Sequence, residues 1–353
     1  MKVAFVAAPL TARTGVYRSA RELVAAGRSQ GHDWRLLLGV SESASGERPV
    51  DDPQWIDEFS LNPGGVEGIV RLRSVLRSHS LVATADLVVS LIPQSDMALA
   101  TMRVPWIAYV RGLPWPASGE SSFAKRSVWR GLERLALKRA RAVWATTRVL
   151  SDQLEWRRGT TIVPAGIRPI ERTVWGDEPP GSAVWAARFH HDKNPRLFLQ
   201  AVEGQGFPAK MYGSGELEQQ LRAGAPANVD IVGWSRPEEL WAEAFVYVGT
   251  SFREAFGRSA LEAAMSGVPI VISDAFGVAE HLVTDEEMRR RFVLPVSDIS
   301  RWRSALRDLH TDVQLRSTYS DHLVNNASKL TIDRSAEAVA AGIKRVLGQG
   351  RTR

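Results

Sequence analysis

Short apolar runs alternate with amphipathic helical segments along most of the chain. Val3–Ala7 is an apolar run of strand length, and residues 16–31 carry apolar side chains at helical spacing up to Gly31. A second strand is predicted at 34–40. Strands that alternate with helices in this way are typical of parallel sheets in α/β proteins. Further apolar runs of strand length occupy residues 87–92, 106–110 and 162–167.

The alternation is interrupted near residues 171–182 and then restarts. This segment is rich in Gly, Pro, Asp and Glu, which predicts a linker between two domains. The chain of 353 residues is long enough for two domains with full cores. Residues 41–65 are polar and turn-rich, and they predict a loop. After the linker, strands are predicted at 183–187, 209–212, 229–232 and 246–248, and helices at 195–202, 237–244 and 334–347.

The composition excludes several kinds of site. The chain contains no cysteine, so disulfides, thiolate metal sites and a catalytic thiol are ruled out. No apolar run approaches the ~18 residues of a membrane span. The apolar N-terminal run is short and ends at Pro9, which indicates a buried first strand rather than a signal peptide. We therefore expect a cytosolic protein.

Basic residues are concentrated in the N-terminal half. Residues 1–175 carry a net charge of +8 and the remainder −2, which indicates an anionic partner or simply a solvated basic face. Residues 123–141 form a predicted helix with seven Lys and Arg residues against Glu133 alone. Its apolar stripe either packs on the sheet, which is the commoner case, or lies on an anionic membrane. The stripe consists of Val128, Trp129, Leu132 and Leu135.

Charged and glycine-rich segments follow four predicted strands of the second half. Arg188 and Lys193 follow the first of these strands, and Glu254 follows the last. Because ligands of open parallel sheets bind at the carboxyl ends of the strands, we expect the four segments to line one crevice. The segments are 187–194, 212–215, 231–234 and 254–262.

The stretch from Glu254 to Glu262 is the most informative of the four. Its two carboxylates are eight residues apart, and Gly257 and Ser259 between them mark a turn into a helix. Such a turn leaves free backbone N–H groups and the positive end of a helix dipole beside a carboxylate. Diphosphate suits the helix start, and carboxylates accept hydrogen bonds from sugar or ribose hydroxyls. The pattern therefore suits a sugar nucleotide.

This order of segments resembles the GT-B glycosyltransferases, specifically the retaining family 4 (group 1). The resemblance is carried by the two glutamates with the continuation 261–271, and by the basic pair that begins 66 residues before Glu254. It is clearest over residues 183–284. It implies an α/β fold of two Rossmann-like, doubly wound parallel-sheet domains that face a cleft. The implied parts are an acceptor-binding domain at 1–174, a nucleotide-sugar donor-binding domain at 175–330, and a helix at 331–353 that crosses back to the first domain.

The resemblance implies a role for each matching residue, although each taken singly has a structural alternative. Arg188 and Lys193 match the catalytic basic pair that neutralises the leaving diphosphate, where preorganised cations lower the barrier most. Glu254 matches the catalytic glutamate beside the donor sugar, and Glu262 matches the glutamate that binds ribose hydroxyls. Gly15 matches a glycine whose backbone approaches phosphate and acceptor. The other implied donor-binding residues are Gly213, Gly215, Gly233, Trp234, Phe256, Gly257 and Arg258.

One position departs from the family pattern. Family members usually place a histidine after the strand that here is 106–110, whereas this chain has Arg111. An arginine there either binds a carboxylate on donor or acceptor, or serves the structure. Tyr17 and Trp115 are candidates to stack on a sugar or another flat acceptor, with core packing as the alternative.

The implied activity is a retaining transfer of sugar from a nucleoside diphosphate, with UDP or GDP favoured, to an acceptor hydroxyl. The chain has no Asp-x-Asp motif, so we expect no metal, and no cofactor besides the nucleotide sugar used as substrate. The expected acceptor is a sugar, a lipid-linked molecule or a small molecule, and no nucleic acid is expected. Cell-envelope glycan, glycolipid and secondary-metabolite pathways all fit.

Other function classes stay open. A nucleotide-sugar epimerase shares the fold and the phosphate sites, but its acid/base carboxylates and histidines cannot be placed in this sequence. The basic N-terminal half permits nucleic-acid binding, although aromatic platforms and a groove-reading motif are missing. A dinucleotide oxidoreductase is a weaker alternative, because the first loop, at residues 8–15, lacks the closely spaced glycines that bind pyrophosphate.

Overall fold

The chain folds into two compact units in this computed structural model. The first unit comprises Met1–Arg168 together with Thr331–Arg353, and the second comprises Pro169–Leu330. Most of the predicted linker lies outside the described residues. The structure describes residues 1–13, 15–49, 53–62, 64–112, 122–154, 156, 159–172, 181–233, 235 and 237–349.

The described part of the first unit is built on one seven-stranded parallel sheet. Its strands are β1 (Lys2–Ala12), β2 (Asp33–Ser45), β3 (Ile56–Ser60), β4 (Leu87–Ser90), β5 (Trp106–Val110), β6 (Ala142–Ala145) and β7 (Thr161–Ile162). Their order across the sheet is β3-β2-β1-β4-β5-β6-β7, and every neighbouring pair is parallel. The chain therefore winds outward from β1 in both directions, as in doubly wound folds.

Helices cover both faces of this sheet. They are α1 (Val16–Ser29), α2 (Gly65–Ser78), α3 (Ser80–Ala83), α4 (Pro93–Leu99), α5 (Phe123–Leu137), α6 (Arg148–Leu154) and α15 (Ile332–Gln349). Helices α1 and α15 pack against each other, and α4 packs against both α2 and α5. Right-handed crossovers place α2, α4 and α5 on the face opposite α1.

The C-terminal helix α15 is part of the core of the first unit. Val339 and Ile343 are fully buried in the same apolar cluster as Phe5 on β1. At the start of the helix, the backbone N–H of Ile332 donates to the oxygen of Ile167 at 2.8 Å. The last described residues of the chain thus belong structurally with the first.

The second unit contains a six-stranded parallel sheet among its described residues. Its strands are β8 (Ser182–Ala186), β9 (Ala209–Tyr212), β10 (Val229–Gly233), β11 (Ala244–Gly249), β12 (Ile270–Ser273) and β13 (Val293–Leu294). The order is β10-β9-β8-β11-β12-β13. The direction of winding reverses between β8 and β11, so their carboxyl ends form the topological switch point where ligands of such sheets bind.

The helices of the second unit pack around this sheet. Both β11 and β12 are buried along their whole length, as expected of strands covered on both faces. The helices are α7 (Pro195–Val202), α8 (Glu218–Ala223), α9 (Pro237–Leu240), α10 (Arg258–Met265), α11 (Ala279–Leu282), α12 (Glu286–Phe292), α13 (Ile299–Thr311) and α14 (Val313–Ala327), with a single 3-10 turn at His191–Lys193.

The prediction of a loop over residues 41–65 is wrong in part, because regular structure occupies both ends and the middle of this range. Strand β2 continues to Ser45, β3 occupies Ile56–Ser60, and α2 begins at Gly65. Strand β3 lies at the edge of the sheet, where only Ile56 of its five residues is buried. Its sequence therefore has no apolar pattern that could reveal a strand.

The expectation that the apolar stripe of the basic helix packs on the sheet is also wrong. In α5, Val128 is 61% exposed, Leu132 36% and Leu135 59%. The face turned to the interior carries Glu133 and Ala136 instead. Among the described residues, no helix combines the length and apolar character needed to cross a membrane.

Candidate active site

The strand-end segments of the second unit lie at the carboxyl edge of its sheet. Residues 187–194 follow β8, residues 213–215 follow β9, and residues 250–257 follow β11. Since β9, β8 and β11 are neighbours in that order, these three segments are adjacent. The parallel arrangement thus brings together residues that the sequence places far apart.

Lys193 and Glu254 meet at the switch point between β8 and β11. Lys193 Nζ donates to Glu254 Oε2 at 2.8 Å, and the two side chains are only 15% and 25% exposed. Burial disfavours the charged form of Lys193, but Glu254 and Asp192 outweigh it and raise the pKa of the ammonium group. The site therefore holds a stable cation next to a carboxylate.

Asp192 completes this cluster of charges and was not singled out from the sequence. Its Oδ2 lies 3.5 Å from Lys193 Nζ and 3.9 Å from the guanidinium of Arg188. Burial alone would raise the pKa of Asp192, but Lys193, His190 and Arg188 together hold it below its usual range. Arg188 itself is 73% exposed, so its guanidinium is available to a ligand. Asp192 and Lys193 are neighbours in the sequence, but this alone does not predict that their side chains lie together.

The turn that carries Lys193 is fastened to the end of β11. The hydroxyl of Thr250 hydrogen-bonds the backbone oxygens of Lys193 and Asn194 at 3.0 and 2.9 Å, and it accepts a hydrogen bond from the indole of Trp185 at 2.9 Å. Both Thr250 and Trp185 are buried. Asn194 adopts the left-handed conformation, with φ of 49°. The position of Lys193 is thus set by a rigid, buried support.

The loop that carries Glu254 leads into helix α10. Gly257 precedes the helix with φ of 102°, a conformation that favours glycine. Two backbone hydrogen bonds join this loop to the segment that precedes α11. The N–H of Gly277 donates to the oxygen of Glu254 at 3.0 Å, and the N–H of Val278 donates to the oxygen of Phe256 at 2.7 Å. The first N–H groups of a helix have no partner within it, so this terminus is suited to an anion.

Glu262 lies one turn inside α10. Its side chain is buried and accepts a hydrogen bond from Arg258 Nε at 2.9 Å. Tyr247 on β11 lies near both site glutamates: burial first, and then Glu254 and Glu262, raise the pKa of its phenol. Tyr247 therefore stays neutral and adds no negative charge to the site.

Gly213 and Gly215 allow the loops after β8 and β9 to approach closely. A Cβ atom on Gly213 would lie 1.9 Å from the backbone oxygen of Ala187, and one on Gly215 would lie 2.6 Å from that of Phe189. Gly233 has open space around it although its φ is +96°. The first two glycines thus have a structural role whether or not a ligand binds there. Trp234, predicted beside them, lies outside the described residues.

We expect Gly213→Ala to lower the free energy of unfolding, measured by urea titration, by about 2 kcal/mol more than Gly204→Ala. Gly204 also has a positive φ, of +72°, but nothing lies within 4 Å of an added Cβ atom. Gly213 itself has φ of +146°, farther from the left-handed region that alanine can adopt, so the difference between the two variants measures the clash together with the greater backbone strain at Gly213. Equal losses of stability would contradict the close approach at Gly213.

His190, the first residue of the histidine pair at 190–191, lies between two carboxylates. His190 Nδ1 lies 2.7 Å from Asp192 Oδ1, and its Nε2 lies 3.5 Å from Glu216 Oε1. Over the part of the chain that the structure describes, no group of three or more His, Asp or Glu side chains is placed to hold a metal ion.

The predicted site residues that the structure describes in the first unit lie after β1 and after β5. Gly15 precedes α1 with φ of 53°, and its backbone is exposed. Arg111 follows β5, with its guanidinium 5.4 Å from the centre of the Tyr109 ring. Tyr17 is only 2% exposed, which favours the packing alternative for this residue. Trp115 lies outside the described residues.

Tyr17 takes part instead in a polar contact with β3. Its hydroxyl donates to Glu58 Oε2 at 2.9 Å, and Arg13 pairs with the other oxygen of Glu58 at 2.8 Å. Glu58 lies on β3, the strand that the sequence did not reveal. The contact therefore ties the loop after β1 to the edge of the sheet.

The two parallel α/β units, with sheets of seven and six strands among the described residues, have the architecture of the GT-B class of fold. Two family models match the chain in succession: "Glycosyl transferase 4-like domain" over residues 14–173, and "Glycosyl transferases group 1" over residues 176–330. The chain therefore belongs to the group 1 glycosyltransferases, family 4. No curated protein matches it in sequence.

Solved structures with similar folds cover nearly the whole chain. Sucrose-phosphate synthase from Thermosynechococcus elongatus is 16% identical, with a TM-score of 0.80 and coverage of 99% of both chains. Anabaena HepE, in complex with UDP and glucose, is 16% identical with a TM-score of 0.71, covering 98% of this chain and 99% of that one. The pneumococcal O-GlcNAc transferase GtfA, with UDP and GlcNAc, is 11% identical with a TM-score of 0.73 and the same coverage. At these identities the likeness establishes the fold.

Proposed function

We propose that the protein transfers a sugar from a nucleoside-diphosphate sugar to an acceptor hydroxyl, with retention of configuration at the anomeric carbon. The ion pair of Lys193 with Glu254 carries the proposal, because it sets a fixed cation and a hydrogen-bond acceptor at the switch point of a group 1 glycosyltransferase. Two proteins of similar fold are in complex with UDP and a sugar. This favours UDP as the nucleotide here, with GDP as the alternative.

The positive groups of the site suit the departing diphosphate. As the glycosidic bond breaks, negative charge grows on the phosphate, and Lys193 and Arg188 stabilise that charge. The N-terminus of α10, with the backbone N–H groups of Phe256, Gly257 and Arg258, holds phosphate or sugar hydroxyls. Before the donor binds, Lys193 is neutralised by Glu254. The donor phosphate must therefore compete for the ammonium group.

The carboxylates and glycines of the site suit the sugar and the nucleoside. Glu254 accepts hydrogen bonds from hydroxyls of the donor sugar, and Glu262 from those of the ribose. Gly213, Gly215 and Gly233 surround the nucleotide with backbone groups. In the first unit, Gly15 and Arg111 contact the donor sugar or the acceptor, and a guanidinium at 111 suits a carboxylate on either.

Retention follows from a reaction on one face of the sugar. The bond from the anomeric carbon to the diphosphate oxygen breaks with its electron pair leaving on the phosphate. The acceptor oxygen bonds to the same face of that carbon, and its proton passes to the departing phosphate oxygen. No side-chain nucleophile takes part, and the cations at 188 and 193 stand in the place of a divalent ion. The acceptor is a sugar, a lipid-linked molecule or a small molecule.

Thermal unfolding with UDP, GDP, ADP, dTDP or NAD, each in the presence of EDTA, tests the donor site. One nucleoside diphosphate is expected to stabilise the protein by about 2.7 kcal/mol when present at about one hundred times its dissociation constant. Stabilisation by NAD alone would contradict a glycosyltransferase. A nucleotide effect that appears only when EDTA is replaced by a divalent cation would contradict the metal-free site.

The nucleotide found in this way selects the sugar donors for a transfer assay. Proton NMR of the first product formed reports its anomeric configuration. A product with the configuration of the donor is expected, and the opposite configuration would contradict the proposed reaction on one face.

A further inference from the structure

Helices α2 and α5 of the first unit expose an unusual amount of apolar side chain. Ten large hydrophobic side chains are exposed among the described residues, and six of them lie on these two helices. Single exposed hydrophobic residues need no explanation, but a concentration of them marks an interaction surface. The six residues, which define the α2–α5 surface, are Val66, Val70, Phe123, Val128, Leu132 and Leu135.

The two helices belong to the same side of the sheet. Both pack against α4, whose residues Ser95–Leu99 are buried. The right-handed crossovers from β3 to β4, β4 to β5 and β5 to β6 place all three helices on one face. The exposed sides of α2 and α5 therefore form one outer layer of the first unit.

The charges around these apolar residues are mainly positive. On α5, Lys125 is exposed, whereas the only acidic residue of the helix, Glu133, is completely buried on the opposite side. On α2, Arg73 and Arg77 are exposed, and Glu67 is paired with Arg71 within the helix. Solvent thus meets apolar side chains bordered by cations on both helices.

We propose that the α2–α5 surface rests on an anionic phospholipid bilayer. Apolar residues on the outer side of a helix, bordered by Lys and Arg, are the pattern of helices that lie in the membrane interface. The apolar side chains enter the headgroup region, and the cations bind lipid phosphates. A second copy of the chain fits less well, because it would bring like charges together. The surface does not include any residue of the donor site.

Sedimentation with lipid vesicles tests this proposal with the full chain and without any sugar donor. The protein is expected to sediment with vesicles of phosphatidylcholine mixed with phosphatidylglycerol, and to stay in solution with vesicles of phosphatidylcholine alone. Added salt is expected to weaken the binding, because it screens the attraction of the cations to the lipid phosphates.

Two double variants separate the apolar and the charged contributions. Val128→Ser with Leu135→Ser is expected to lower the partition coefficient about tenfold or more, because two apolar side chains no longer enter the interface. Lys125→Glu with Arg73→Glu is expected to lower it at least about tenfold, because two cations become anions. All four positions are exposed, so the folded state is retained, and thermal unfolding verifies this.

Matched controls lie in the second unit. Val313→Ser removes an exposed apolar side chain from α14, and Arg289→Glu with Arg307→Glu makes the same change of net charge as the basic variant, at exposed positions. Both controls are expected to bind anionic vesicles within about twofold of the unchanged protein.

Three outcomes would overturn the proposal. They are equal binding to neutral and anionic vesicles or none to either, loss of binding by the controls as large as by the α2–α5 variants, and a dimer in light scattering that the Val128→Ser, Leu135→Ser variant dissociates. The last would assign the surface to a second copy of the chain. Because no donor is used, these outcomes do not depend on whether sugar transfer is observed.

Discussion

Lys193→Ala is expected to lower kcat for sugar transfer about a thousandfold. Lys193 is fixed by the buried Thr250 support beside Glu254, and its charge matters most when the diphosphate departs. An interaction that strengthens in the transition state affects kcat more than KM. Steady-state kinetics with the donor found by nucleotide binding would therefore show a fall in kcat with a smaller change in KM.

Lys210→Ala is the matched control for this experiment. Lys210 also pairs with a glutamate of the second unit, Glu243, at 2.7 Å. That pair lies on the surface rather than at the switch point, and Glu243 is largely exposed. Glu243 directly precedes β11, at the opposite end of the strand from Glu254, so kcat is expected to stay within about twofold of the unchanged protein. Exposed pairs also contribute little to stability. Similar losses in Lys193→Ala and Lys210→Ala would refute the assigned role of Lys193.

A loss of activity in Lys193→Ala can also come from a change in the folded structure, which a second variant tests. Removing the ammonium group leaves the carboxylate of Glu254 without its cation, so part of the effect can come from a displaced loop. Lys193→Arg retains a cation and is expected to recover part of the lost kcat. A variant with normal unfolding temperature, lost activity and partial recovery by arginine would establish a role of the charge itself.

The sequence predicted the architecture and the strand ends at which the candidate site residues lie, but it did not predict the contacts between these residues. Apolar runs located most strands of both sheets, and the strand ends located Lys193 and Glu254. The pairing of β8 with β11 brings together Lys193 and Glu254, which are 61 positions apart, so that they form an ion pair. No local pattern in the sequence predicts this contact. For the same reason, Thr250 and Asp192 became visible as supports of Lys193 only in the folded chain.

Periodicity identifies a stripe on a helix without identifying what the stripe faces. In α5 the apolar positions were correctly read, but the assignment of Val128 and Leu135 to the interior was wrong. The interior position is taken by Glu133, which a sequence reading would place in solvent. The helix therefore departs from the usual pattern at both its inner and its outer face, and each departure has a separate consequence.

The consequence at the inner face is a pair of buried carboxyl groups. Glu133 on α5 and Asp96 on α4 are both almost fully buried. When both are ionised, neither oxygen of Glu133 has a hydrogen-bond donor among the described residues. A proton held by one carboxyl group supplies the missing hydrogen bond to the other. Burial raises the pKa of Asp96 to about 7, and burial followed by the charge of Asp96 raises that of Glu133 well above its usual value.

These pKa values make the folded state less stable as pH rises. A carboxyl group with a raised pKa binds its proton more tightly in the folded state than in the unfolded state. The stability that this proton gives the folded state is fully present when the pH is below the pKa of the group in the unfolded state. That stability is lost as the pH rises through the pKa of the group in the folded state. For Asp96, a rise from 3.8 to about 7 corresponds to a loss on the order of 4 kcal/mol across that range. Glu133 extends the loss to higher pH.

Glu133→Gln is expected to raise the free energy of unfolding at pH of about 9 by about 2 kcal/mol or more, and to change it little at pH of about 5. The amide has no charge to bury, and its N–H group donates to Asp96 without a shared proton. Urea titrations over this pH range measure the effect. Glu287→Gln on α12 makes the same chemical change at an exposed position and is expected to leave the pH dependence as it is. If Glu133→Gln follows the same pH curve as the unchanged protein, the buried pair does not hold a proton.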